Sequence, residues 1–180
     1  MVPLDTLNNF VTYDYLAVTK PDGSKRYVRS GSLTSLDNVI YYARFDAELN
    51  STLPRGYIFP AAFKKIADNL IAHGVNVTTL EKSKTYSGEV FTVTKLEKAS
   101  QAFQGHAIAK LDGTWKTSSK KFKKGDYVVD AAQPLANLIF YLLEPQSDDG
   151  LATWNFFDDY LEENNVGNQP VDFPIFKYFK

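Results

Sequence analysis

Residues 125–161, GDYVVDAAQPLANLIFYLLEPQSDDGLATWNFFDDYL, decide the fold. GDYVVD carries the aromatic and β-branched side chains of a strand. After it, Gln133–Leu143 reads as a short helix, with Pro134 in the first turn, where a helix tolerates proline, and Pro145 just past the end. This helix is apolar on nearly every face, so it must be buried. Ser147-Asp148-Asp149 then offers oxygen side chains and carboxylates for the start of another helix. Leu151, Trp154, Phe157 and Leu161, spaced three, three and four apart, would share its inner side. A strand running into two helices that both need cover calls for a mixed architecture.

The rest of the chain adds mainly strands. Val11–Val28 reads as a hairpin turning at Lys20-Pro21-Asp22-Gly23, Ser30–Asp37 as a polar loop, and Val39–Phe45 as a third strand. Tyr57-Ile58-Phe59 is a short strand, followed by a helix from Pro60 to the Gly74 stop with Phe63, Ile66, Ala67, Leu70 and Ile71 on one stripe. Val75–Leu80 alternates as a strand. Gly88–Lys98, Ala107–Leu111, Trp115–Phe122 and Asp126–Val129 read as successive strands, with turns at Asp112-Gly113 and Lys124-Gly125. Aromatic residues make up 14% of the 180 positions, which favours pleated surfaces over helix bundles. The expected fold is α+β and β-rich, with mostly antiparallel sheets or a sandwich-like core and two or three packed helices. The chain reads as one domain, 1–180, divisible into an N-terminal hairpin region (1–55), an α+β core (56–163) and a C-terminal tail (164–180).

A net charge of −1 gives no overall pull towards nucleic acid or anionic membranes. The absence of cysteine rules out disulfides, thiolate metal sites and a cysteine nucleophile. The first residues, MVPLDTLNNFVTYDYLAV, lack the basic and apolar regions of a signal peptide. The longest apolar run, Leu135–Leu143, is too short for a membrane span.

Several stretches carry a family likeness: GYIFPAAF at 56–63, AHGVNVTTL at 72–80, FQGH at 103–106, and the QPL…LLEP…DDGL…WNFFD run within 125–160. Together they resemble the region that follows the catalytic domain in bacterial proteins related to carboxypeptidase A, the zinc-dependent exopeptidases. The resemblance implies a non-catalytic accessory domain whose partner is a carboxypeptidase-like catalytic domain, in cis or as a separate chain. Zinc would then be held in that other domain, with no cofactor in this chain, and the setting would be extracellular or periplasmic. Such peptidases hold zinc with a His-x-x-Glu pair and a distant second histidine. Here Asn76 stands three residues after His73, and Ala109 three after His106, so no catalytic or metal residue carries over. The chain itself therefore does not read as an enzyme.

His73, before Gly74, suits a helix end; His106 either hydrogen-bonds within a turn or packs on the catalytic domain. Six lysines between Lys110 and Lys124, interleaved with Trp115 and Phe122, could meet nucleic acid or protect a sheet edge, and the lack of arginine favours the edge. Seven carboxylates from Glu144 to Glu163 lack calcium-loop spacing. Tyr41, Tyr42, Trp115 and Tyr127 could form a sugar-stacking platform, which gives the alternative function: a free-standing β-module binding carbohydrate or a cell-surface polymer. A hydrolase with an unrecognised carboxylate pair is the third reading. The candidate interface or binding residues are His106, Trp115, Tyr127 and Trp154.

Overall fold

The computed structural model describes residues 1–180, which divide into two units, Met1–Ser51 and Thr52–Lys180. The fold is α+β and rich in antiparallel strands, as its sequence predicts.

The first unit is a two-stranded ribbon. Strands β1 (Val2–Leu7) and β2 (Phe10–Thr19) run up one side, and β3 (Lys25–Leu36) and β4 (Val39–Arg44) return along the other. β2 pairs with β3 and β1 with β4, both antiparallel. The reversal falls at the expected turn, where Gly23 takes a φ of 82° and its N–H donates to the Lys20 carbonyl at 2.9 Å. Asn9 and Asn38, both at positive φ, mark the junction between the two paired stretches. There the Asn9 N–H donates to Asp37 Oδ1 at 2.9 Å and the Asn38 N–H to Asn8 Oδ1 at 3.1 Å. The polar segment 30–37 was expected to be a loop, but Leu33, Thr34 and Ser35 pair with Tyr13, Thr12 and Val11. Pairing to an adjacent apolar strand outweighs local polarity here, and Gly31, at φ 89°, sits within the register shift. β1, which had no sequence signal of its own, forms by pairing with β4.

The second unit is built on a six-stranded antiparallel sheet: β5 (Gly56–Phe59), β6 (Thr78–Thr79), β7 (Lys84–Lys98), β8 (Ala109–Phe122), β9 (Tyr127–Asp130) and β10 (Val171–Tyr178). Its order is β6-β9-β5-β10-β7-β8. Helices α1 (Lys64–Ala72), α2 (Ala136–Leu143) and α3 (Asp158–Glu163) all contribute to one core with Tyr57, Phe59, Phe91, Val93, Phe173 and Ile175. Ile58, Tyr86, Val90, Phe122, Phe176 and Tyr178 alternate with these along the strands and form a second cluster. The helices thus share one face of the sheet, the usual α+β solution.

Helix α1 shows how the sequence sets the ends. Asp126 accepts the Ala61 N–H at 3.0 Å and the Lys123 N–H at 2.7 Å, so one buried carboxylate from across the fold caps the 3₁₀ turn that leads into α1. At the other end Val75 N–H bonds to Leu70 O and Gly74 N–H to Ile71 O, with Gly74 at φ 85°, a Schellman stop. His73 adds its Nδ1 to the Asn69 carbonyl at 2.8 Å, the helix-end role expected for it. Ile66, Ala67 and Leu70 are buried, but Ile71 is exposed.

Four further elements differ from expectation. Asp112-Gly113 is not a turn: β8 runs through it, paired with β7 from Lys98↔Ala109 to Lys84↔Phe122. Gly113 serves a close approach instead, since a Cβ there would lie 2.2 Å from the Thr92 carbonyl oxygen. Residues 148–157 form successive turns, and only Asp158–Glu163 is helical; Leu151, Phe157 and Leu161 are nevertheless buried together. α2 fully buries Ile139 and Leu143, while Tyr141 on its other flank is exposed. Within 164–180, Val171–Tyr178 enters the sheet between β5 and β7. No helix is long and apolar enough to cross a membrane.

Candidate functional site

Two of the four sequence-selected residues meet in one place. Phe103 and His106 exchange both backbone hydrogen bonds at 2.9 Å, and Gln104 and Gly105 between them sit at φ 50° and 84°. That is the geometry of a tight hairpin turn with two left-handed central residues. It projects the His106 ring against Trp154, edge to face, with centroids 5.2 Å apart; the Phe103 ring lies 6.4 Å from the same indole.

Asn155 fixes this corner. Its Nδ2 donates to the Ala107 carbonyl at 2.8 Å and to Asp158 Oδ2 at 3.0 Å, which orients Oδ1 towards His106 Nδ1 at 3.1 Å. Because Oδ1 can only accept, Nδ1 carries the imidazole proton in this arrangement. Asp158 also binds the Lys98 ammonium at 2.8 Å, and Glu162 binds it at 2.5 Å. These two carboxylates raise the Lys98 ammonium above its ordinary range. The Trp154 indole N–H is held by Asp149. The corner therefore offers aromatic rings and an oriented imidazole on a pinned loop.

Trp115 and Tyr127 lie elsewhere. Trp115, on β8, packs on Phe91 at 5.2 Å, and Tyr127, on β9, packs on Phe59 at 5.4 Å. Both are half-buried against the helix-side core. Their strands stand four places apart in the sheet, about 19 Å at the usual strand spacing, so they share no stacking platform. The lysines at 110, 116, 120 and 121 belong to β8, which is an edge strand.

A third cluster was not foreseen. Lys177, 1% exposed on β10, places its ammonium 2.8 Å from Glu144 Oε1 and 3.8 Å from the centre of the Trp115 ring. The Tyr57 hydroxyl donates to the same Glu144 oxygen at 2.6 Å. A signal for it did exist: in Phe173-x-Ile175-x-Lys177 the lysine occupies the third inward position of an apolar alternation, where a charge needs a buried partner. Burial lowers the Lys177 ammonium from its ordinary value, with Glu144 acting against that shift. Burial, with Glu144 next, raises the Tyr57 phenol far above its usual range, and burial pushes Tyr178 up to about 12.

These shifts have opposite signs in the alkaline range. As the pH rises towards 10.5, the unfolded lysine keeps its proton after the folded one has released it, so Lys177 adds stability. Above about pH 10, tyrosines in the unfolded chain ionise while Tyr57 and Tyr178 stay protonated, so stability falls. Above pH 10.5 the tyrosines dominate. Tyr57→Phe is expected to flatten that fall by about 1.4 kcal/mol per pH unit. Urea titrations of both proteins between pH 10.5 and 12 measure it.

Both histidines make structural contacts through Nδ1, and no group of three histidine, aspartate or glutamate side chains is gathered where it could hold a metal.

Comparison with known proteins gives one informative likeness. The chain is 26% identical to "Carboxypeptidase 2" of the fungus Trichophyton rubrum over 129 residues, 72% of this chain but 22% of that protein. No family model and no solved structure matches. The chain is thus similar to about a fifth of the length of a carboxypeptidase.

Proposed function

We propose that this chain is a non-catalytic accessory unit of a carboxypeptidase-type protein, docked on or continuous with a zinc peptidase domain. The observation that carries the reading is the partial likeness: most of the second protein lies outside the matched stretch, leaving room there for a catalytic body. The pinned corner of Phe103, His106 and Trp154 is the part of the second unit best suited to contact it, since aromatic side chains on a rigid loop make contact at low entropic cost.

The test is direct. The purified 180-residue chain, supplied with zinc, is expected to release no C-terminal amino acids from peptides and to retain no stoichiometric metal after dialysis. Chelator-sensitive release accompanied by stoichiometric zinc overturns the reading.

A further inference from the structure

The six-stranded sheet has two edges: β6, with 2 residues, and β8, with 14. A very short edge strand is protected against stray pairing, whereas a long one with open N–H and C=O groups is a template for another strand. The chain covers only the start of β8 itself. There the Ala109 N–H donates to the Thr153 carbonyl and Gln146 Nε2 to the Leu111 carbonyl, both at 3.0 Å. These bonds reveal which backbone groups face away from β7, and alternation along the ladder gives the next ones as Gly113, Trp115, Thr117, Ser119 and Lys121. No second strand pairs with them. No proline interrupts Ala109–Phe122, and the irregularity of this pair lies in β7, between Val93 and Lys95.

The side chains along this edge carry one sign of charge. Between residues 109 and 124 stand six lysines, one aspartate and no arginine. None of the six lysines is in an ion pair. Lys116 and Lys120 share one face of β8, opposite Val90 and Tyr86 of β7, and Lys84 joins that face opposite Phe122; Lys121 takes the other face. The edge ends at a cavity of about 320 Å³, where Phe122 and Pro60 meet Lys120, Lys121 and Lys123. Its one acid, Asp126, already accepts the Ala61 and Lys123 N–H groups through its two oxygens.

We propose that the open edge of β8, Gly113–Lys121, receives an extended acidic segment of a partner polypeptide as a further strand of the sheet. Both parts of that description come from the edge: its unpaired backbone groups need the amides and carbonyls of a strand, and its unpaired lysines need carboxylates. A second copy of β8 fails the second condition, because like charges would face each other. Nucleic acid fails the first. Its phosphates can meet the lysines but supply no ladder, and the arginines that grip phosphate in a bidentate fashion are missing from this stretch. The acidic run of this chain, Glu144–Glu163, is folded into turns and helix α3, so it cannot act as the guest strand. The lysines therefore select among strands, and the cavity beyond Lys121 takes a side chain of the guest. The inference does not depend on the accessory reading.

The test uses the whole 180-residue chain and three fluorescent probes: a nonapeptide alternating glutamate and threonine, the same peptide N-methylated at every residue, and a decathymidylate. The first is expected to bind and to slow amide exchange at Trp115, Thr117 and Ser119, read by NMR. Its affinity should fall about tenfold or more in the double variant Lys116→Glu, Lys121→Glu, and fall again with added salt. Both lysines are exposed, and unchanged exchange at the buried amides of β5 verifies that the variant keeps its fold. The N-methylated peptide and the oligonucleotide are expected to bind at least about tenfold more weakly. Equal binding of the N-methylated peptide means a charged surface without strand addition, and equal or tighter binding of the oligonucleotide means a nucleic-acid surface. No binding of the first peptide, or binding without protection on β8, means an edge that its lysines only guard. Each of these outcomes overturns the proposal.

Discussion

Glu144→Leu is expected to lower the stability of the second unit by about 3–5 kcal/mol, because it strands a buried ammonium. Lys177 would lose the carboxylate 2.8 Å away, and the Tyr57 hydroxyl would lose its acceptor. The Trp115 ring face 3.8 Å from Lys177 replaces only part of that, since a ring quadrupole is worth about 2 kcal/mol when desolvated. The informative comparison is the triple variant Tyr57→Phe, Glu144→Leu, Lys177→Met. With every charged or polar end removed, it is expected to recover most of the loss, as apolar replacements of buried ion pairs do. Urea midpoints for the two variants decide. Equal losses in both would mean that the site matters through packing and not through charge.

Gly88→Ala should be nearly as damaging for a different reason. A Cβ at Gly88 would stand 1.8 Å from the Lys177 carbonyl oxygen and 3.0 Å from the Phe176 ring. The first of these neighbours is backbone in the facing strand, so β7 and β10 must part. A cost of about 3 kcal/mol, the upper end for overpacking, is expected. Gly125→Ala is the control. Gly125 takes a φ of 91° with nothing within 4 Å of its missing Cβ, so only left-handed strain of about 1–2 kcal/mol applies. Denaturation curves with unchanged slopes would attribute both differences to stability.

The parts of the fold legible in sequence were those that short-range chemistry writes. Pro60 and Gly74 bracketed α1, and Pro21–Gly23 marked the ribbon's turn. What escaped was what distant pairing decides. Gly113 looks like a turn until the Thr92 carbonyl is seen beside it. Ser30–Asp37 looks like a loop until β2 lies alongside most of it. Residues 164–180 read as a C-terminal tail, yet Val171–Tyr178 joins the sheet between β5 and β7, with Pro174 inside the register shift between Asp172 and Phe176, where a proline is tolerated. The same division holds for the candidate residues. His106 was found through the Gly105 turn beside it, but Asn155, which orients it, comes from 49 residues away. Lys177 and Glu144 are 33 residues apart, and neither announces the other.

The position of β10 between β5 and β7 bears on synthesis. A ribosome delivers β5 and β7 more than 70 residues before the strand that separates them, so until then each presents an open edge to its surroundings and to its neighbours on the polysome. Closure must wait for residues 171–178 to emerge, and a chain released before then would leave a gap in the middle of its sheet.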